Sequence, residues 1–204
     1  MPPAEDCPGN SIEVPRFIRG LIFDCDGTLA DSMPLHMEAW QEALRIHGAK
    51  YDYEFFYSKK GMKETEIVEL YNKQFHAALS PQEVVSDKHN YFLRHIQLVK
   101  PLDAVVDVAR RHSGIFPMAV VSGSVREIVT GELGVMGILD LFKAVLTGDD
   151  PFKQKPAPDM FLEAARRLGV SPEQCQVFED ADLGLLAARN AGMVATDVRP
   201  FLPS

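Results

Sequence analysis

Asp24 and Asp26 stand two positions apart, directly behind the apolar run Leu21-Ile22-Phe23 and ahead of Gly27 and Thr28. On an extended chain, residues i and i+2 point to the same side, so the two carboxyls face one way. Such a pair can hold a hard cation, or divide a nucleophilic role and an acid–base role between them. An EF-hand loop does not fit, because it needs an acid or amide at its fifth position and glycine at its sixth. Here Thr28 is fifth and Gly27 fourth. Three further groups follow apolar or helical patterns later in the chain: Ser122 with Gly123, then Lys155, then Glu179 with Asp180. Each alone has an ordinary explanation as a cap, a loop or a solvated turn. Their joint occurrence at the ends of apolar runs points to one site.

The elements that must position them are short strands. Residues 21–23, 117–121, 142–146, 175–178 and 194–198 are apolar runs of the length that fills a strand buried on both faces. Helical patterns lie between them, one closing at Gly169 and another running over 182–191. This alternation predicts an α/β fold, a Rossmann-like doubly wound parallel sheet, whose strands bring their carboxyl ends to one edge. The region from 34 to 97 departs from it. Asp31-Ser32-Met33-Pro34 reads as a helix start, with Leu35, Ala39, Trp40, Ala43 and Leu44 at helical spacing up to Gly48. Residues 50–97 are aromatic and helical in pattern, with a capping-box signature at Ser80-Pro81-Gln82-Glu83. The expected organisation is an α/β core over 16–33 and 98–204, a helical cap over 34–97, and an N-terminal tail over 1–15. Lys60, Gly61 and Lys63 interrupt the cap with a basic loop suited to meeting an anionic substrate.

Composition sets the outer bounds. The chain of 204 residues is 46% hydrophobic and 25% charged, as expected of a soluble globular protein. A net charge of −8 argues against nucleic acid and anionic membrane as partners. Cys7, Cys25 and Cys175 are odd in number and far apart, which predicts free thiols in a reducing compartment. Cys25 alternates away from its flanking acids and is expected to be a packing residue. With neither a long apolar run nor a signal-like start, the expected setting is cytoplasmic, and a monomer is expected.

The segment Asp-Cys-Asp-Gly-Thr-Leu resembles the first motif of the haloacid dehalogenase-like superfamily, and the serine, lysine and acidic pair resemble its other three in order. Lys-Pro-Ala-Pro-Asp-Met-Phe and Glu-Asp-Ala-Asp-Leu-Gly-Leu-Leu-Ala-Ala-Arg-Asn-Ala-Gly-Met are similar to the β-phosphoglucomutase-like subfamily. Within it, Ser-Gly-Ser, Phe-Glu-Asp-Ala-Asp and Thr-Asp-Val-Arg resemble the bacterial fructose-1-phosphate phosphatases. One departure is Ala181, where many relatives have serine.

The resemblance implies a Mg2+-dependent phosphatase acting on a small phosphorylated metabolite. A carboxylate about 4 Å from a phosphate dianion faces roughly 8 kcal/mol of repulsion at an effective dielectric near 20, which a divalent cation and a lysine offset. Asp24, Glu179 and Asp180, with the carbonyl of Asp26, are the implied metal ligands. Ser122, Gly123 and Lys155 are the implied phosphate ligands. Asp24 as nucleophile and Asp26 as acid–base come from the resemblance, since spacing alone permits the reverse. His36, ten residues after Asp26, matches a histidine of the mutases that related phosphatases share. The alternative is a hexose-phosphate mutase with the same nucleophile; a third reading is a non-catalytic phosphate sensor, which the full set of site residues disfavours. Against the mutase, Glu64 stands where the β-phosphoglucomutases place an arginine.

Overall fold

The computed structural model describes residues 12–202. Cys7 and most of the expected tail lie outside the described residues. Ile12 is buried, and Gln176 donates to the Glu13 carbonyl at 3.0 Å, so the chain already lies against the sheet by residue 12.

Strand β1 (Gly20–Phe23) leads through the acidic turn to β2 (Ala30–Asp31). Four helices follow: α1 (Met33–Ile46), α2 (Tyr53–Tyr57), α3 (Glu64–Phe75) and α4 (Pro81–His95). The chain returns through β3 (Lys100–Pro101) and then alternates: α5 (Asp103–His112), β4 (Met118–Val121), α6 (Arg126–Val135), β5 (Ala144–Leu146), α7 (Asp159–Leu168), β6 (Cys175–Glu179), α8 (Asp182–Asn190) and β7 (Val194–Asp197). The five-stranded sheet has the order β5-β4-β1-β6-β7 and is parallel throughout. Strand β1 is central, with Phe23 opposite Val120 on one side and Phe178 on the other.

Alternation along the strands divides the core. Leu21, Phe23 and Val120 join Val105, Val106, Ile128 and Leu133, side chains of α5 and α6, on one face. Ile22, Ala119 and Val121 join Met160, Phe161, Ala164, Ala187 and Ala188 of α7 and α8 on the other. The rings of Phe23 and Phe178 stack at 4.6 Å across β1 and β6. Each such buried side chain contributes roughly 1.5–3 kcal/mol against exposure, which holds the strand ends in register.

Helices α1 to α4 carry a separate apolar cluster that includes Trp40, Phe55, Phe56, Ile67 and Tyr71. Asp52 caps α2 by accepting from the Phe55 amide at 2.9 Å, and Ser80 accepts from the Glu83 amide as the capping-box signature predicts. The sequence pattern reveals no strand at 99–101. In the structure Ala30 pairs with Pro101 and Asp31 with Lys100, so the two crossings into and out of the helical segment form one small antiparallel ribbon. Expected strand 142–146 begins later, at Ala144, because residues 139–141 form a 3-10 turn that runs into Phe142. Among the described residues, no helix is long and apolar enough to cross a membrane.

Candidate active site

The ends of β1, β4 and β6 meet at one edge of the sheet, where Lys155 ties them together. Its ammonium donates to Asp24 Oδ1 at 2.6 Å, to Glu179 Oε1 at 2.5 Å and to the Val121 carbonyl at 3.1 Å. Burial opposes the charge on this lysine, but Asp24 and Glu179 outweigh burial and hold its pKa above the ordinary range. Asp24, Glu179 and Asp180 each offer a carboxylate oxygen within 4.8 Å of the others. Burial, opposed by Lys155 and reinforced by Glu179 and Asp180, pushes Asp24 well up. Asp180 is likewise raised, by burial and by Glu179, against the pull of Lys60.

Two glycines make this crowding possible. Gly27 has φ +79°, and a Cβ there would lie 2.7 Å from Asp180 Oδ2. At Gly184, on the first turn of α8, a Cβ would come within 1.8 Å of Glu179 Oε1. The start of that helix instead supplies the Ala181 amide, which donates to Glu179 Oε2 at 2.9 Å.

Asp26 faces a different set of partners. Its carboxylate accepts from Ser32 Oγ (2.7 Å), Ser124 Oγ (2.7 Å) and Ser122 Oγ (3.3 Å), and from His36 Nε2 (2.7 Å). Burial alone would raise its pKa, but His36 and the hydroxyls overcome that and hold the group well below the usual carboxylate range. Ser32, at the start of α1, makes no side-chain cap bond to that helix, because its hydroxyl is spent on Asp26. On its other side His36 accepts at Nδ1 from Lys88, whose ammonium is 2.8 Å away and fully buried. Lys88 also donates to Glu64 Oε1 at 2.5 Å, and Glu64 Oε2 pairs with His89. A continuous polar chain therefore runs from Asp26 through His36 and Lys88 to Glu64 on α3.

The expected site residues Asp24, Asp26, Ser122, Gly123 and Lys155 line one cleft. Glu179, Asp180, His36, Lys60 and Gly61 line the same cleft. Lys60 reaches from the loop after α2 to Asp180 Oδ2, 3.2 Å away. Lys63 does not join them. It is exposed, at the N-cap of α3, and Met62 and Glu64 on either side of it line the cleft instead. The basic loop thus contributes Lys60 and not Lys63, because the turn at Gly61, φ +83°, sends the two lysines in different directions. Ser124 and Lys88 join the site as well, though neither is among the residues expected there. Ser124 carries the same chemistry as Ser122 two residues on, a signal that was available. Lys88 sits in an amphipathic helix where lysine ordinarily marks the wet face.

The arrangement presents a carboxylate, Asp24, beside a cation and two further acids, with a hydrogen-bonded acid two residues on. It suits attack on a phosphoryl group and proton transfer to and from the leaving oxygen.

Comparison with known proteins gives the same picture. The sequence model of the family described as haloacid dehalogenase-like hydrolase matches residues 18–192. The chain is 42% identical to fructose-1-phosphate phosphatase YqaB of Escherichia coli, covering 88% of this chain and 96% of that one. It is 32% identical to validoxylamine A 7'-phosphate phosphatase of Streptomyces hygroscopicus, over 84% of this chain and 81% of that one. Among solved structures, beta-phosphoglucomutase from Clostridium difficile superposes with a TM-score of 0.75 at 27% identity, covering 88% of this chain and 84% of the other.

Proposed function

The chain belongs to the haloacid dehalogenase-like hydrolase family, and from that membership we propose a phosphatase for a small sugar phosphate, fructose 1-phosphate or a close analogue, working through a phosphorylated Asp24. The observation that carries the reading is the position of Asp24 within reach of Lys155, with Asp180 and Glu179 beside it and Asp26 two residues on. The helical segment over 34–97 acts as the cap in this reading. The monomer is the working unit, and the free thiols of Cys25 and Cys175 suit the cytoplasm.

The acids fit a hard divalent cation. Asp24, Glu179 and Asp180 offer oxygen donors only, and burial, reinforced by their crowding, keeps Asp24 and Asp180 raised. These three, with the carbonyl of Asp26, would hold Mg2+. When bound, Mg2+ supplies charge neutralisation at the phosphoryl oxygens.

The chain's own groups then have distinct tasks. Lys155, Ser122 and the backbone at Gly123 hold the phosphoryl oxygens. A carboxylate oxygen of Asp24 attacks phosphorus and the bond to the sugar oxygen breaks, while Asp26, ionised in the free site, passes to that oxygen a proton that the substrate's phosphate brings in. Asp26 next takes a proton from water, whose oxygen attacks the same phosphorus and frees Asp24 and inorganic phosphate. Lys88 cannot accept a hydrogen bond, so Nδ1 of His36 is the acceptor between them and Nε2 carries the proton that faces Asp26.

A mutase would need a second phosphate held from the helical segment. Among the described residues lining the cleft, the one lysine from that segment is Lys60, already engaged with Asp180, which favours hydrolysis. Two assays test the reading. Asp24→Asn should lower phosphate release by more than about a thousandfold while the fold persists; appreciable turnover in a folded variant would remove Asp24 as nucleophile. With β-glucose 1-phosphate, Mg2+ and a trace of the 1,6-bisphosphate, free phosphate should outpace glucose 6-phosphate. The reverse order would make the protein a mutase.

A further inference from the structure

The α/β side of the cleft is lined by acids, serines and a lysine that are already bonded within the protein. Lys155 holds Asp24 and Glu179, Ser122 and Ser124 donate to Asp26, and Asp180 accepts from Lys60. Gln154 is the exception. It is half-buried and lines the same cleft, yet among the described residues its side-chain amide has no hydrogen-bond partner. The backbone around it is held. Its carbonyl accepts from the Ala157 amide at 3.0 Å, and Asn190 donates to the Pro156 carbonyl at 3.1 Å. A fixed loop between β5 and α7 thus presents an amide whose donors and acceptor are unspent.

Its position limits what it can reach. Lys155 is the next residue, and Gln154 Oε1 lies 3.9 Å from the point that a Cβ on Gly123 would occupy. Both neighbours belong to the proposed phosphate cradle, so the amide stands at the rim of that cradle, beside the atoms just beyond the ester oxygen. Ala181 and Leu183, which line the cleft around the start of α8, are apolar and offer those atoms no side-chain hydrogen bond. Phosphoryl oxygens only accept, and Lys155, Ser122 and the backbone at Gly123 serve them. A hydroxyl both donates and accepts, as the amide does. We propose that Gln154 is a specificity-determining residue that hydrogen-bonds the hydroxyl on the carbon next to the one carrying the phosphate, and so selects esters with that neighbouring hydroxyl over plain alkyl esters. The inference rests on the phosphatase reading for the place of the phosphate. A substrate lacking the hydroxyl leaves the amide unpaired in a place it has emptied of water, which is where discrimination arises.

Binding tests this without turnover. Asp24→Asn protein with Mg2+ is titrated calorimetrically with fructose 1-phosphate, with 2,5-anhydromannitol 1-phosphate, which lacks the hydroxyl at carbon 2, and with inorganic phosphate. Fructose 1-phosphate should bind about tenfold more tightly than the anhydro compound. Adding Gln154→Leu, which keeps the bulk and removes the amide, should shrink that preference to about twofold or less, and should cost fructose 1-phosphate at least about fivefold more than it costs inorganic phosphate. A preference that Gln154→Leu leaves intact overturns the proposal. So does an equal loss for inorganic phosphate, which would put the amide on the phosphoryl group. An anhydro compound that binds as tightly as fructose 1-phosphate before any change at Gln154 overturns it too, whether or not Gln154→Leu folds. Phosphate release from fructose 1-phosphate by the unaltered protein is read separately. Its absence would sink the phosphatase reading and leave the binding preference standing.

Discussion

Lys88 places its buried ammonium 2.8 Å from Nδ1 of His36, although the two residues lie on different helices and 52 positions apart. Through that contact a cation on α4 fixes which nitrogen of His36 holds the proton and so how Asp26 is held. Lys88→Met fills nearly the same volume but removes one member of a buried pair, at a cost of about 3–5 kcal/mol that His89 on Glu64 offsets in part, so the comparison is made below the variant's own thermal midpoint. The variant should lower kcat for alkyl phosphates about a hundredfold, with a much smaller loss for p-nitrophenyl phosphate, whose leaving group needs no proton. Equal losses on both substrates would mean that Lys88 supports the fold and not Asp26.

Cation binding should be visible in stability and should depend on pH. Asp24 and Asp180 are raised above the ordinary aspartate value of 3.8. Above that pH the folded protein keeps protons the unfolded chain has released, so their stabilisation is full below it and is lost as pH rises through the folded values. Mg2+ replaces those protons. The rise in thermal midpoint on adding Mg2+ should therefore grow between pH 5 and 8, and Asp180→Asn should diminish it. A shift independent of pH would remove this account of the acidic cluster.

Lys60 and Lys63 offer a contrast within one loop. Lys60→Ala should raise KM for sugar phosphates about tenfold, because an ammonium near the phosphate site is lost. Lys63→Ala should change KM less than about twofold, as expected for an exposed residue outside the cleft. Matching effects would show that the loop closes in another register.

Glu132 on α6 is a buried acid with Oε1 unpartnered and Oε2 accepting from the Cys25 thiol at 3.2 Å. Burial, with Asp26 nearby, raises its pKa well above the ordinary value of 4.5. Its protonated form in the fold stabilises below that pH and the contribution is lost as pH rises through the folded value. Glu132→Leu should stabilise the protein by about 1–3 kcal/mol in urea unfolding at pH 8 and by less at pH 4. Destabilisation at both pH values would show that the carboxyl is better satisfied than its single contact indicates.

What could be read from the sequence was what depends on neighbours along the chain. Leu21-Ile22-Phe23 reads as a doubly buried strand because both faces are apolar, and Gly169 marks the end of α7 through its left-handed φ of 75°. The strand-end residues followed from topology: once the strands are parallel, Asp24, Ser122 and Glu179 must share an edge. Lys88 was hidden because its burial depends on Glu64 and His36, brought from two other helices. Glu132 was hidden for a like reason, since its neighbours Cys25 and Asp26 come from β1 and its turn, over a hundred residues away. The β2–β3 ribbon has two residues a strand, too few for any period to register.

The three hydrogen bonds of Lys155 to Asp24, Val121 and Glu179 also bear on how the protein comes into being during synthesis. Each acceptor ends a different central strand, and the last, β6, starts only at Cys175. A growing chain that has completed β1, the helical segment and β4 still lacks the partner that sets the lysine. Asp180, too, emerges only then. Activity should therefore appear in a single step late in translation, after the final third of the chain has left the ribosome, and nascent fragments that stop before Cys175 should be inert however well their helices have formed.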